Sequence, residues 1–122
     1  MARDNGVSIE QGVFIIDNRP QFVVSGDYPY YRDDPSFWKD RLKKMKLGGI
    51  EVVTFYVPWR HHFVEFNDKG QQVCDFTGKT LPNRNVCLFM DMIQDLGLHA
   101  CVKPGPFIHA EMNYGGLPEF VN

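Results

Sequence analysis

Apolar residues occur along this chain both in short unbroken runs and with helical spacing. Two short runs, Val13 to Ile16 and Phe22 to Ser25, flank the segment Asp17-Asn18-Arg19-Pro20, in which every residue type favours a turn. This pattern predicts a β-hairpin that leads into the first strand of a larger sheet.

Helical spacing appears twice. Asp34 can cap a helix whose first residue is Pro35, and Gly48-Gly49 is suited to end it. A second helix is predicted to begin near Asn85 and to end at Gly97. The apolar positions on the predicted inner faces of the two helices are Phe37, Trp38, Leu42 and Met45, then Val86, Phe89, Met90, Ile93 and Leu96.

A strand is predicted after each helix. Residues Ile50 to Val57 form the first, which Pro58 ends, and Leu98 to Val102 form a short apolar run that suits a strand buried on both faces. The alternation of strands and helices predicts an α/β fold with a parallel sheet and right-handed crossovers. Residues 60–84 between these units are a long polar connection, and such connections are often functional.

The candidate chemistry lies where the predicted parallel strands end, because ligands in α/β folds bind beyond the carboxyl ends of the strands. Tyr56 lies at the end of one strand. Glu111 follows the next, within the proline- and glycine-rich segment Lys103 to Pro118 (KPGPFIHAEMNYGGLP), which favours an irregular loop. Glu111 is therefore a candidate for ligand contact, and the alternative is an exposed or ion-paired loop acid.

Composition limits the possible functions. The chain has 122 residues, 43% of them hydrophobic, and a formal net charge of −2, so nucleic acid is not an expected partner. No apolar stretch approaches the roughly 20 residues of a membrane span, and the first ten residues contain no apolar signal-peptide region. We therefore expect no membrane partner and a cytoplasmic location. A complete (β/α)8 barrel needs roughly 250 residues, so the chain is expected to cover at most half of one.

Metal and redox chemistry have little support in the sequence. Cys74, Cys87 and Cys101 are widely spaced, and we expect them to be small buried hydrophobic residues, Cys101 most clearly. The adjacent pair His61-His62 lacks the spacing of a metalloprotease site and is expected in a surface loop.

One further pattern, His109-Ala110-Glu111, matches the start of the zinc deaminase signature H-x-E. No P-C-x-x-C follows it to supply the thiolate ligands. We therefore predict no metal site and no cofactor.

Four segments resemble glycoside hydrolase family 35, the β-galactosidases. Lys103 to Glu111, followed by Gly115 to Pro118, is similar to the family pattern R-P-G-P-Y-I-C/N-A-E and G-G-L/F-P. The other three segments occur in the family's order and spacing. They are Ser25-Gly26 with Tyr30 and Arg32, Trp38 to Lys46 (WKDRLKKMK), and Thr54 to Trp59 (TFYVPW). The resemblance implies that residues 1–122 are the N-terminal part of a (β/α)8 barrel, about three βα units preceded by a short β-hairpin.

The resemblance also implies roles for individual residues. The family counterpart of Glu111 hydrogen-bonds sugar hydroxyls, that of Ala110 contributes through its backbone, and that of Tyr56 lines the sugar pocket. His109 stands where the family has cysteine or asparagine, and either lines the pocket or is structural. Asp27 stands where the family often has glutamate, and either binds a hydroxyl or caps a turn.

The implied activity is the retaining hydrolysis of terminal non-reducing β-D-galactosyl residues. It uses two carboxylates roughly 5 to 5.5 Å apart and no cofactor. In the family these glutamates come from the fourth and seventh barrel strands, so we assign no catalytic residue here and expect the isolated chain to be inactive. This sequence departs from the family pattern at Arg60 to Val64 and at Tyr28-Pro29. The resemblance implies that both segments lie in loops that shape the sugar subsites. A β-glycosidase for another sugar, a non-catalytic sugar-binding remnant and an α/β domain with an unrelated ligand remain alternatives.

Overall fold

The structure is a computed structural model that describes residues 6–121, so residues 1–5 and 122 of the expected 1–122 section lie outside it. No helix among the described residues is long and apolar enough to cross a membrane. The strands and α-helices are β1 Val7–Glu10, β2 Val13–Ile16, β3 Arg19–Gln21, β4 Ser25–Asp27, α1 Pro35–Leu47, β5 Val52–Tyr56, α2 Trp59–His62, β6 Phe63–Phe66, β7 Gln72–Cys74, α3 Val86–Asp95 and β8 His99–Lys103.

The first three strands form an antiparallel sheet in the order β1-β2-β3. The predicted hairpin is present, but the prediction that Phe22 to Ser25 forms its second strand is wrong. Its second strand is β3. Asp17 and Asn18 have φ of 51° and 61° and reverse the chain by themselves, since Asp and Asn tolerate the left-handed region well. Arg19 therefore already pairs with Ile16 in the register of β2 and β3.

The second sheet is parallel, with strand order β4-β5-β8. Its register pairs Asp27 with Thr54 and Tyr56 with Lys103. Helix α1 connects β4 to β5, and α3 precedes β8, so the predicted alternation of strands and helices is confirmed. Because all three strands run in the same direction, their carboxyl ends lie at one edge of the sheet.

Both long helices begin where their capping residues predict. The Asp34 side chain accepts a hydrogen bond from the Ser36 amide at 2.8 Å, and the Asn85 side chain accepts one from the Leu88 amide at 3.0 Å. These bonds satisfy amides that the first turn of a helix leaves without partners. The helix boundaries were therefore predictable from local residue types.

Tyr30 is the centre of an aromatic core between the parallel sheet and the two helices. It is fully buried, and its ring centroid lies 6.0 Å from Trp38, 5.7 Å from Phe55 and 5.1 Å from Phe89. These distances are typical of edge-to-face and tilted aromatic pairs. The packing fixes the turn after β4 against β5 and α3.

Strand β8 is not buried on both faces, so that expectation is wrong. Ala100, Cys101 and Val102 are exposed, because β8 is an edge strand that pairs with β5 alone among the described residues. The predicted burial of Cys101 is wrong for the same reason. Cys87 is also exposed, and only Cys74 is half-buried.

The connection over residues 60–84 contains regular structure that its polar composition concealed. β6 and β7 form an antiparallel hairpin, and a tight loop follows at the buried carboxylate of Asp75. That carboxylate accepts hydrogen bonds from the amides of Thr77, Gly78 and Thr80. Burial by itself raises the pKa of Asp75, but the hydrogen bonds from Thr80 and Thr77 outweigh it and hold the pKa well below its usual range.

Candidate sugar-binding site

A pocket of about 230 Å³ lies at the carboxyl edge of the parallel sheet. It is formed by the ends of β4 and β5, the turn after β4 and the loop after β8. All the candidate residues chosen from the sequence line it, namely Asp27, Tyr56, His109, Ala110 and Glu111. Tyr31, Arg32 and Thr54 are also in its wall.

Asp27 lies at the end of β4, and its side chain is 69% exposed. Its Oδ1 atom accepts hydrogen bonds from the Thr54 hydroxyl and, at 3.2 Å, from the Lys103 ammonium group. Thr54 lies on the adjacent strand β5, whereas Lys103 lies on β8, one strand further. Among the described hydrogen bonds Asp27 therefore bridges strands and caps no turn.

Tyr56 lies at the end of β5 and is half-buried. The Lys103 ammonium nitrogen lies 4.1 Å from the centroid of its ring, within the range of a cation–π contact. Lys103 is paired with Tyr56 in the sheet register, and paired residues of a parallel sheet point to the same face. The register therefore places the ring and the cation side by side.

Glu111 lies in the loop after β8, with φ of 47° and a side chain that is 89% exposed. Arg32 donates hydrogen bonds to the carbonyl oxygens of Ala110 and Glu111, the second at 3.3 Å. Its guanidinium group is also 3.9 Å from the Glu111 carboxylate. Arg32 thus attaches the loop after β8 to the turn after β4, and Glu111 is both ion-paired and part of the pocket wall.

A double-glycine turn shapes the same loop. Gly115 and Gly116 have φ of 60° and 78°, a region that favours glycine. A Cβ atom on Gly115 would overlap the Phe107 ring, and one on Gly116 would lie 2.8 Å from Ile108 Cγ1. The Ile108 amide donates to the Gly115 carbonyl at 2.8 Å. The turn therefore folds back onto the residues that precede His109.

His109 is exposed at the pocket wall, and its ring makes an edge contact with Phe107 at a centroid distance of 5.2 Å. Ala110 is buried, with only 6% of its surface exposed. Trp59 does not line the pocket. Its indole donates to Gln72 and packs edge-on against Phe120, so its contacts are those of a packing residue.

The predicted surface location of His61-His62 is wrong for His62, which is 1% exposed. Its Nδ1 lies 2.6 Å from the Asp75 carbonyl oxygen, and its Nε2 lies 2.7 Å from the Tyr30 hydroxyl. A carbonyl oxygen only accepts, so Nδ1 bears the proton and Nε2 accepts from Tyr30. Burial lowers the pKa of both His61 and His62, which favours their neutral forms. His62 is the last residue of α2 and contacts Tyr30, which is 32 positions earlier in the sequence.

Sequence reasoning missed two residues that organise the pocket. The family resemblance includes Arg32 and Lys103 within its segments but implies no role for either residue. The Arg32 hydrogen bond to Ala110 and the Lys103 hydrogen bond to Asp27 each join residues more than 70 positions apart. The available signal was positional. Lys103 directly follows the predicted strand Leu98 to Val102, and Arg32 lies between Ser25 and the predicted helix start at Pro35.

Chemically, the pocket combines carboxylate oxygens, a tyrosine ring and a histidine ring, the kinds of group that bind a polyhydroxylated ligand. Among residues 6–121, no group of three or more His, Cys, Asp or Glu side chains is arranged to hold a metal ion. The pocket's charged side chains are paired, Asp27 with Lys103 and Glu111 with Arg32.

Comparison with known proteins agrees with the sequence resemblance. The family described as Glycosyl hydrolases family 35 matches residues 13–122. The chain belongs to this family. The family 35 chain is 37% identical over 108 residues to the β-galactosidase of Mus musculus, a match that covers 88% of the chain and 15% of the mouse protein.

Other relatives are named for different activities. A β-1,2-glucosyltransferase of Ignavibacterium album is 37% identical over 108 residues, covering 88% of the family 35 chain and 14% of that protein. An exo-β-D-glucosaminidase of Pyrococcus horikoshii is 35% identical over 109 residues, covering 89% of the chain and 13% of that protein. The family 35 chain therefore spans only a small part of the length of the relatives that it matches.

Proposed function

We propose that this chain is the sugar-binding N-terminal section of a (β/α)8 glycoside hydrolase that removes terminal non-reducing β-D-galactosyl residues. One observation supports this above all. Five residues chosen from the sequence, on three separate segments, line a single pocket in a member of family 35. The carbohydrate is the expected substrate, and no cofactor is required for chemistry that uses carboxylates.

The parallel sheet supports the barrel assignment. Its order β4-β5-β8, with α1 after the first strand and α3 before the third, is the arrangement of consecutive strands in a (β/α)8 barrel. The pocket also lies at the carboxyl ends of the strands, where such barrels have their active sites. We infer that β4, β5 and β8 are the first three barrel strands.

In this proposal the Glu111 carboxylate accepts hydrogen bonds from sugar hydroxyls, and the backbone of Ala110 binds beside it. Arg32 holds the carbonyl groups of both residues and so restrains the backbone from which the Glu111 side chain extends. Asp27 offers a second carboxylate from the end of β4. Tyr56 supplies an aromatic surface between the two acids.

Glu111 is assigned to binding rather than to catalysis. Retaining hydrolysis needs a nucleophile and a separate acid/base group at roughly 5 to 5.5 Å from each other. We infer that this pair lies in parts of the enzyme beyond these 122 residues, since the chain spans 13–17% of the length of family relatives such as those of Pyrococcus horikoshii and Homo sapiens.

Specificity for another sugar is the second candidate. The relatives include an exo-β-D-glucosaminidase and a β-1,2-glucosyltransferase. Residues Arg60 to Val64 depart from the family pattern, and they lie in α2 and at the start of β6, directly after β5. Any assay should therefore compare several sugars and not test a single substrate. The remaining candidate is a protein that binds a sugar but does not hydrolyse a glycoside.

The test uses the complete product of the reading frame that encodes this chain, assayed against aryl β-galactosides, β-glucosides and β-glucosaminides. A hydrogen bond to a charged group contributes about 1.5–3 kcal/mol, so Glu111→Ala should lower kcat/KM at least about tenfold. Glu51→Ala is the matched control, because Glu51 is an exposed acid at the opposite end of the same sheet.

Turnover of galactosides in preference to the other sugars, together with the Glu111 effect, is the expected result. Preferred turnover of a glucoside or glucosaminide would support the second candidate. An unchanged kcat/KM in Glu111→Ala would contradict the assigned binding role. Sugar binding without turnover of any glycoside would identify a non-catalytic remnant.

A further inference from the structure

Lys103 is the last residue of β8, and its side chain contacts two of the proposed sugar-binding residues at once. The ammonium group lies 3.2 Å from Asp27 Oδ1 and 4.1 Å from the centre of the Tyr56 ring. It thereby reaches across β5 to β4 and links all three parallel strands at their carboxyl ends. Lys103 does not itself line the pocket.

The two carboxylate oxygens of Asp27 have different hydrogen-bond partners. Oδ1 accepts from both Lys103 and the Thr54 hydroxyl. Oδ2 accepts no hydrogen bond from the described residues, so it is the oxygen that can receive a donor from a ligand in the pocket. Anchoring Oδ1 fixes the carboxylate plane and hence the position of Oδ2.

We propose that Lys103 is a positioning residue for sugar binding, which holds Asp27 and Tyr56 in the orientation that the ligand needs. This inference rests on the proposed function of the pocket. A fully exposed ion pair would contribute little, because water and salt screen it. The Lys103 side chain is only 34% exposed and is in contact with an aromatic ring, so its position is more restricted than that of a surface lysine.

Lys44 forms an ion pair that lies outside the pocket. Lys44 pairs with Asp40 at 2.7 Å on the outer face of α1, but both side chains are more than 60% exposed and neither contacts the pocket. The Lys44–Asp40 distance is shorter than the Lys103–Asp27 distance, but this pair is not expected to affect sugar binding. The function of Lys103 follows from the residues that it contacts and from their place in the pocket wall.

The experiment is a double-mutant cycle in the complete gene product, with steady-state kinetics on the best aryl glycoside and calorimetry with galactose as the binding probe. Lys103→Met keeps most of the side-chain length and removes the charge. We expect it to weaken galactose binding and lower kcat/KM by about tenfold, chiefly through KM. Lys103→Arg should retain most of the activity, because it restores a cation at the same place. Lys44→Met is the control and should behave as wild type.

The decisive comparison is made in an Asp27→Asn background. If Lys103 acts through Asp27, Lys103→Met should cause a much smaller further loss there, about twofold or less. Equal losses in both backgrounds would overturn the inference, as would wild-type kinetics in Lys103→Met. In either case a persisting effect of Glu111→Ala would leave the proposed function intact. Wild-type protein that neither binds galactose nor turns over any glycoside would overturn both.

Discussion

Removing the hydroxyl of Tyr30 should destabilise the loop after β7 while leaving the aromatic core packed. That hydroxyl donates to His62 Nε2 at 2.7 Å, and His62 Nδ1 donates to the Asp75 carbonyl at 2.6 Å. Tyr30→Phe keeps the ring but leaves the accepting nitrogen of His62 without a donor. Since His62 is 1% exposed, water cannot replace the lost partner without a structural opening.

The expected magnitude follows from this burial. A buried acceptor without a partner costs about 1–3 kcal/mol. Opening of the loop around Asp75 should become easier by a similar amount, which corresponds to roughly 5- to 150-fold faster hydrogen exchange. The amides to follow are those of Thr77, Gly78 and Thr80, which donate to the Asp75 carboxylate in the native structure.

The assay is native-state hydrogen exchange of the complete gene product at neutral pH, with residue or short-peptide resolution. Tyr114→Phe is the control, because it removes the same atom from a side chain that is 56% exposed. Exchange at the three reporter amides that is equally fast in both variants would refute the reasoning. It would mean that the Tyr30–His62 bond does not stabilise the native loop.

Two further predictions concern the loop after β8 and the chain by itself. Gly115→Ala should raise KM severalfold, because the added Cβ would overlap Phe107. Gly70→Ala is the control and should leave the kinetics unchanged. Gly70 also has a positive φ, 73°, but nothing lies within 4 Å of the added Cβ. Similar kinetics in the two variants would show that the glycine turn does not set the pocket. The 122-residue chain alone should show no turnover of aryl β-galactosides and no cooperative monomeric unfolding, because β4 and β8 leave unpaired strand edges in the parallel sheet. Turnover abolished by Glu111→Gln, or a cooperative monomeric transition, would contradict this.

The predictable parts of the fold were those that short-range chemistry determines. Asp34 and Asn85 cap their helices through bonds to amides two and three residues away, so residue type alone identified the helix starts. The parallel order of the strands followed from the alternation of strands and helices. That order in turn brought Tyr56 and Glu111 to one edge of the sheet and therefore into one pocket.

The missed features depend on contacts between distant residues. His62 is buried against Tyr30, 32 positions earlier, and nothing in the local sequence indicates this contact. The Arg32 bond to Ala110 spans 78 positions, and the Lys103 bond to Asp27 spans 76. The exposure of β8 was misjudged because an apolar strand at a sheet edge has the same sequence pattern as a central one.

The exposed thiol of Cys101 can be alkylated and so reports whether this face of the parallel sheet is accessible. Cys101 pairs in register with Thr54 and so shares the sheet face that leads to the pocket, whereas Cys87 is exposed on α3, in the helical layer. Alkylation of the two thiols can therefore be compared within one molecule, with Cys87 as the internal reference. In a longer protein that closes around this sheet, Cys101 would be shielded from the reagent while Cys87 would still react. A single mass spectrum would then distinguish an open sheet from a closed barrel without any substrate.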